Sequence, residues 1–135
     1  MKYIGIALLA SLVITFSARA EQPQDFLSIF AAQAKLDKAG FAGFDVSRGQ
    51  QFFKSQHGAD WSCSSCHTDN PTSMGQHIVT KKDIKPMAPL VNSERFTNPE
   101  KVEKWFKRNC KDVLKRECTA QEKGDVLVYL LSLGR

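Results

Sequence analysis

Five consecutive residues, Cys63-Ser64-Ser65-Cys66-His67, constrain this chain more than any other stretch. Two thiols separated by two residues, with an imidazole directly after the second, form the attachment pattern of a c-type haem. Each thiol adds across one vinyl group of the porphyrin, and the adjacent imidazole reaches the iron from the same side. Two other chemistries use paired cysteines. A thioredoxin-like dithiol has no need of the histidine and sits between a strand and a helix, a context that the flanking sequence does not offer. A tetrahedral zinc site wants four ligands, commonly as two pairs. The remaining cysteines, Cys110 and Cys118, are too widely spaced to be such a second pair. The sequence therefore predicts one covalent haem c, attached at Cys63 and Cys66, with His67 as the proximal iron ligand.

The start of the chain points to export. Lys2 precedes a mostly apolar run from Ile4 to Phe16, and Ala18-Arg19-Ala20 is a small-residue cleavage site before Glu21. The run is short for a spanning helix, which needs about 20 apolar residues. Residues 1–20 read as a cleaved signal peptide, with an uncleaved anchor as the other reading. Residues 21–135 then form one cytochrome c domain, periplasmic and without stable membrane insertion after cleavage. An oxidising compartment suits haem attachment, and a buried porphyrin would supply core that so short a chain lacks.

Charge narrows the partners. Without Lys2 and Arg19 the chain has 17 basic and 14 acidic residues, a net of +3. That is too mild for a nucleic-acid binder. Lys81, Lys82 and Lys85 cluster after the haem motif, and Lys101, Lys104, Lys107, Arg108 and Lys111 follow downstream. Such a run is ordinarily a solvated helix face; beside an exposed haem edge it would steer an acidic redox partner.

The pattern between these landmarks is helical, so the predicted class is all-α. Phe26, Ile29, Phe30 and Ala34 recur at helical spacing, and Gly40 is a stop signal. This places a helical extension over 21–42. Asp45 caps a second helix from Val46 to about Lys54. Trp61 is expected against the porphyrin or closing the core. Thr68 to Asn92 contains Pro71, Gly75, Pro86 and Pro89 and reads as irregular loop, with no convincing strand. Asn98-Pro99-Glu100 opens a helix to about Asn109, with Val102, Trp105, Phe106 and Val113 as its apolar face. Thr119-Ala120-Gln121-Glu122 is a capping box for a last helix to about Leu133. Gly49 and Gly124 are small enough to let the early and last helices cross closely beside the haem.

Cys110 and Cys118 are left over as an even pair, most simply a disulfide in an exported protein. Eight residues of helix rise about 12 Å, whereas a disulfide tolerates roughly 7 Å between Cα atoms. The chain must turn between them, which makes Lys111–Glu117 a closed loop. A redox-active pair is the sharper alternative.

The sixth iron position is where the residues leave a choice. Met74, His77, Met87, Asn92 and His57 are all candidates. Met87, in the rigid Lys85-Pro86-Met87-Ala88-Pro89 loop, is the default, because a thioether gives a closed electron carrier of high potential. His77 would give a bis-histidine haem. Asn92 would offer a hard oxygen donor, tolerable to ferric iron and poor for ferrous iron. No acid–base pair flanks this side in the sequence, so no catalytic residue is assigned and enzymatic turnover stays open.

The run Pro86-Met87-Ala88-Pro89-Leu90-Val91-Asn92-Ser93-Glu94-Arg95-Phe96-Thr97-Asn98-Pro99, then Trp105-Phe106, Cys110, and Arg116-Glu117-Cys118-Thr119, resembles the sphaeroides haem protein family. These are class I-like monohaem periplasmic cytochromes c, and the resemblance runs from about Asp45 to the C-terminus. It implies haem on Cys63 and Cys66, His67 and Asn92 as axial ligands, and a Cys110–Cys118 disulfide. It also implies loss of Asn92 on reduction, binding of small diatomic gases (oxygen, nitric oxide, carbon monoxide), and a dihaem cytochrome c as electron donor. The extension over residues 25–40 lies outside the matched part.

Overall fold

Local signals in the sequence start most of the helices. The computed structural model describes residues 20–58 and 60–134; the predicted signal peptide lies outside the described residues except for Ala20. Helix α1 spans Pro23–Asp37. It begins with proline in its first turn and with the Gln22 amide donating to the Asp25 carboxylate at 2.7 Å. It ends three residues before Gly40, at the Lys38 cap. Helix α2, Val46–Lys54, is capped by Asp45, whose Oδ1 accepts from the Arg48 amide at 2.7 Å. Helix α5, Ala120–Ser132, opens on the expected capping box between Thr119 and Glu122.

Packing turns these helices into a frame. Helix α5 is the hub, with both α2 and α1 laid against it. Phe26 and Phe30 of α1 and Phe53 of α2 are buried with Val126, Leu127, Tyr129 and Leu130 of α5. The N-terminal extension is therefore part of the core. Gly49 is the close-approach residue of the α2–α5 crossing: a β-carbon there would overlap the backbone carbonyl of Asp125. Gly124 does a different job from the one expected, since its missing side chain is filled by the ring of Phe44.

A polar clamp fixes the same crossing. The buried Asp125 carboxylate accepts from Arg48 Nε and Nη2, both at 2.8 Å, and from the Asp45 amide at 2.8 Å. A fork of this kind orients two helices as well as attracting them. The partners are 77 residues apart, so no local pattern announces it.

The third long helix, α4, spans Pro99–Leu114 and departs from expectation in two ways. It runs five residues past Asn109, taking Cys110 with it. Only then does Lys115, in the left-handed conformation at φ 61°, turn the chain so that Cys118 returns to Cys110. The disulfide forms with a Cα separation of 5.5 Å. The turn is thus Lys115–Glu117 rather than the whole of Lys111–Glu117. In addition, Trp105 is not on the apolar face. Val102, Cys110 and Val113 are buried and Phe106 faces them, whereas Trp105 is 47% exposed beneath the Arg108 guanidinium, 5.5 Å from its ring centroid. Position 105 is one helical step, about 100°, off the stripe.

Lys123 ties the three long helices together. It pairs with Glu103 at 2.7 Å while lying over the rings of Phe30 and Phe106. The segment Thr68–Asn92, expected to be irregular throughout, contains a minimal antiparallel hairpin, β1 (Gly75–Gln76) with β2 (Asp83–Ile84). The fold is otherwise all-α, as predicted.

Two outcomes follow from this packing. Gly49→Ala forces α2 off α5 and lowers stability by about 1–3 kcal/mol, read as a fall in urea midpoint, whereas Gly40→Ala, with open space around it, leaves the midpoint unchanged. Glu122 provides a pH test: burial acts to raise its pKa, but hydrogen bonds from Arg116 and Thr119 outweigh it and the net shift is downward. Its stabilising contribution is then complete above the unfolded glutamate value of about 4.3 and is lost as pH falls through the lower folded value. Glu122→Gln makes that acid limb shallower in pH-dependent unfolding.

Candidate haem site

The attachment motif forms its own short helix, α3, Ser64–His67. Its start is set by two serines that cap each other. Ser62 Oγ accepts from the Ser65 amide at 3.2 Å, and Ser65 Oγ accepts from the Ser62 amide at 2.9 Å. Ser62 is buried, and this reciprocal serine pair was missed in the sequence because the second partner is usually Glu or Gln. The helix stops at once after His67. Thr68, at φ 62° and ψ 166°, adopts a backbone conformation that is nearly restricted to glycine. It turns the chain towards the hairpin, and Gly75 of β1 comes so close to the Cys66 carbonyl that no β-carbon would fit.

The three motif residues have a chemistry that fits a porphyrin. Cys63 and Cys66 are free thiols, whereas Cys110 and Cys118 are joined. Burial, chiefly, pushes the Cys63 thiol up to about 12. A thiol so reluctant to ionise is a poor redox nucleophile, which argues against a dithiol oxidoreductase. Among the described residues no cluster of three or more His, Cys, Asp or Glu converges on a common point. His67 is held at about 4, first by burial and then by the charge of Arg95. Its imidazole is therefore neutral, with a lone pair available to iron. Behind it stands an aromatic wall: the Phe53 ring is 6.2 Å from His67 and 5.7 Å from Tyr129.

The sequence candidates for the far side have different surroundings. Asn92 and Met87 lie on one loop with Arg95, whose charge is felt at His67. Asn92 is partly buried and its Nδ2 donates to the Pro86 carbonyl at 3.0 Å. Met87 is partly buried too, with its side chain packed against the core cluster. His77 is used inside the hairpin turn, where its Nδ1 accepts from the amides of Val79 and Thr80 at 3.2 Å. His57 bonds through Nε2 to the Phe52 carbonyl at 2.7 Å and stacks on the Phe52 ring. Met74 is exposed. Trp61, two residues before Cys63, is partly buried and takes part in none of the aromatic pairs among the described residues. Two surface hollows of about 490 and 370 Å³ lie elsewhere, and neither is lined by Cys63, Cys66, His67 or Asn92.

Comparison with known proteins decides the family. Residues 39–130 match the family described as a domain of unknown function, DUF1924. The cytochrome c-type protein SHP of Cereibacter sphaeroides is 42% identical over 101 residues, which cover 72% of this chain and 78% of that protein. The chain belongs to the sphaeroides haem protein family. Cytochrome c'' of Methylophilus methylotrophus is 46% identical over 80 residues; the alignment spans only 56% of that protein's length and 59% of this chain.

Solved structures agree with the fold. Oxidised SHP, described as an oxygen-binding cytochrome c, superposes with a TM-score of 0.74 at 36% identity, over 84% of this chain and 98% of that one. Oxidised cytochrome c'' gives 0.72 at 35% identity, over 82% and 93%. As a family member the chain is a c-type cytochrome with covalently attached haem. Among the described residues no helix is long and apolar enough to cross a membrane.

The attachment residues are tested by composition of the haem-bearing product. Replacing both Cys63 and Cys66 by Ala yields protein that loses its haem on a denaturing gel, while Cys118→Ser retains it and costs on the order of 2–3 kcal/mol of stability.

Proposed function

We propose that this cytochrome is a periplasmic redox haem protein whose far-side iron ligand, Asn92, is released on reduction so that a small diatomic molecule can bind. Cys63 and Cys66 hold the porphyrin and His67 is the permanent axial ligand. The haem supplies one electron of redox capacity and a sixth coordination position. The reading rests on the Asn92 carboxamide, which is partly buried with its nitrogen donating to the Pro86 carbonyl at 3.0 Å, in the loop that carries the family resemblance. An amide oxygen is a hard donor that suits ferric iron and binds ferrous iron weakly. Two relatives support the idea in their own descriptions: oxidised SHP is termed oxygen-binding, and the solution structure of cytochrome c'' concerns haem-ligand detachment.

Electrons are supplied by a dihaem cytochrome c or a similar periplasmic partner. Lys81, Lys82, Lys101, Lys104 and Arg108 are exposed, and each is a basic group available to such a partner. Encounter should therefore slow as salt rises. The alternative is a pure electron carrier closed by His67 and Met87. Its support is that Met87 shares the Asn92 loop; against it, the Met87 side chain is engaged with the core cluster.

Spectroscopy separates the two. The ferric protein is expected to be high-spin and, once reduced, to bind carbon monoxide. Asn92→Ala keeps the haem attached and alters the ferric spin state or distal ligation. A protein that is low-spin in both oxidation states and indifferent to carbon monoxide is instead the Met87 carrier.

A further inference from the structure

We propose that the outer face of α4 is a docking strip for an anionic phospholipid surface, with Lys101, Lys104, Arg108 and Lys111 on the headgroup phosphates and Trp105 seated among them. The proposal is independent of which group occupies the far side of the iron.

The strip follows from the helical period. At about 100° per residue, Lys101, Lys104, Trp105, Arg108 and Lys111 fall within an arc of about 120° and span about 15 Å along the axis. That arc lies opposite the buried Val102, Cys110 and Val113. Packing of α4 on the core therefore turns all five residues outward, and each is exposed.

Their charge is not compensated within the fold. None of the ion pairs among the described residues involves Lys101, Lys104, Arg108 or Lys111. By contrast, Glu103 pairs with Lys123 at 2.7 Å and Lys107 with Glu117 at 3.5 Å, both outside the arc. Asp112 lies within the strip and Glu100 at its margin. Lys115, whose Nζ donates to the Asp112 carbonyl at 3.2 Å, adds a fifth cation at the C-terminal end. Five basic groups against two acidic ones leave a net of +3, as much as the whole chain carries after residue 20. The excess charge of the molecule is thus gathered on one side of one helix.

Trp105 gives this strip an apolar element. Its indole is 47% exposed beneath the Arg108 guanidinium, 5.5 Å from the ring centroid. So large a ring left in water forgoes the gain of burial unless something covers it. An indole among cations suits the boundary between headgroups and acyl chains, where one edge is wet and the other apolar. Two features favour a lipid surface over an acidic protein. Most of the cations are lysines, which protein interfaces disfavour, whereas a charged bilayer rewards each one separately. The strip is also the convex side of a single helix, and the two hollows described above are lined by none of its residues, so neither offers it a socket for a partner's side chain.

The test sediments holoprotein with vesicles of phosphatidylglycerol and phosphatidylcholine in equal parts, or of phosphatidylcholine alone, and reads the bound fraction from haem absorbance. Each basic group beside an anionic bilayer is worth about a fivefold gain, so the net of +3 should give a preference on the order of a hundredfold at about 20 mM salt, lost as salt rises. Lys101→Gln with Lys104→Gln should reduce this binding about 25-fold. Lys35→Gln with Lys38→Gln, the same charge change at exposed positions of α1, should leave it within about twofold. Trp105→Ser should bind more weakly at every salt concentration. Far-UV circular dichroism confirms that each variant is folded. A second measurement needs no variant: acetic anhydride labelling of wild type, in which anionic vesicles should shield Lys101, Lys104 and Lys111 but not Lys35 or Lys38. Equal binding to both vesicle types, an equal loss in the α1 control, an unaltered Trp105→Ser or shielding confined to other lysines overturns the proposal. So does a wild type that ignores the vesicles and is held by immobilised polyglutamate through the same lysines, which would make the occupant an acidic protein.

Discussion

The short distance between α2 and α5 is the constraint on which the rest depends. A chain with so little core of its own can clasp a porphyrin only against a stiff wall, and the wall is made where Gly49 meets the Asp125 backbone. That contact brings Phe53 and Tyr129 together, and Phe53 in turn backs the His67 ring. The Arg48–Asp125 fork then fixes the angle at which the helices cross. Apolar contact supplies most of the attraction, while the buried carboxylate makes only one arrangement acceptable, since an unpaired charge there would be costly.

Around this wall the motif and the loop after Pro86 are built by different means. The His67 side is stiff: a serine-capped helical turn, a strained Thr68 and a hairpin seated against Cys66 leave the imidazole little freedom. The loop that carries Asn92 has no regular structure and is held by hydrogen bonds to Pro71 O and from Arg95. Loops of this kind are where local opening is least costly.

Much of the site could be read before folding. The motif Cys63-Ser64-Ser65-Cys66-His67 requires a specific cofactor because thiol spacing and the adjacent imidazole match the porphyrin chemistry. The distal side was harder. From residue types alone Met87 is preferred, and it took family resemblance to favour Asn92. The structure adds the surroundings of the other candidates: His77 and His57 each engage one ring nitrogen with neighbouring backbone groups, and Met74 faces solvent.

By itself the sequence determined the helix starts at Asp45, Asn98 and Thr119 and the haem-attachment pattern, because each is encoded within three or four residues and acts through the nearest backbone groups. Tertiary structure alone decided the side of α4 on which Trp105 lies, the length of α4 past Cys110 and the hairpin at Gly75. It also decided the sharing of Pro86 O between Asn92 and Arg95. Those outcomes depend on which surfaces find each other once the chain is compact. A side chain's hydrophobicity says that it tends to be buried, but only the neighbours brought by the rest of the chain say where.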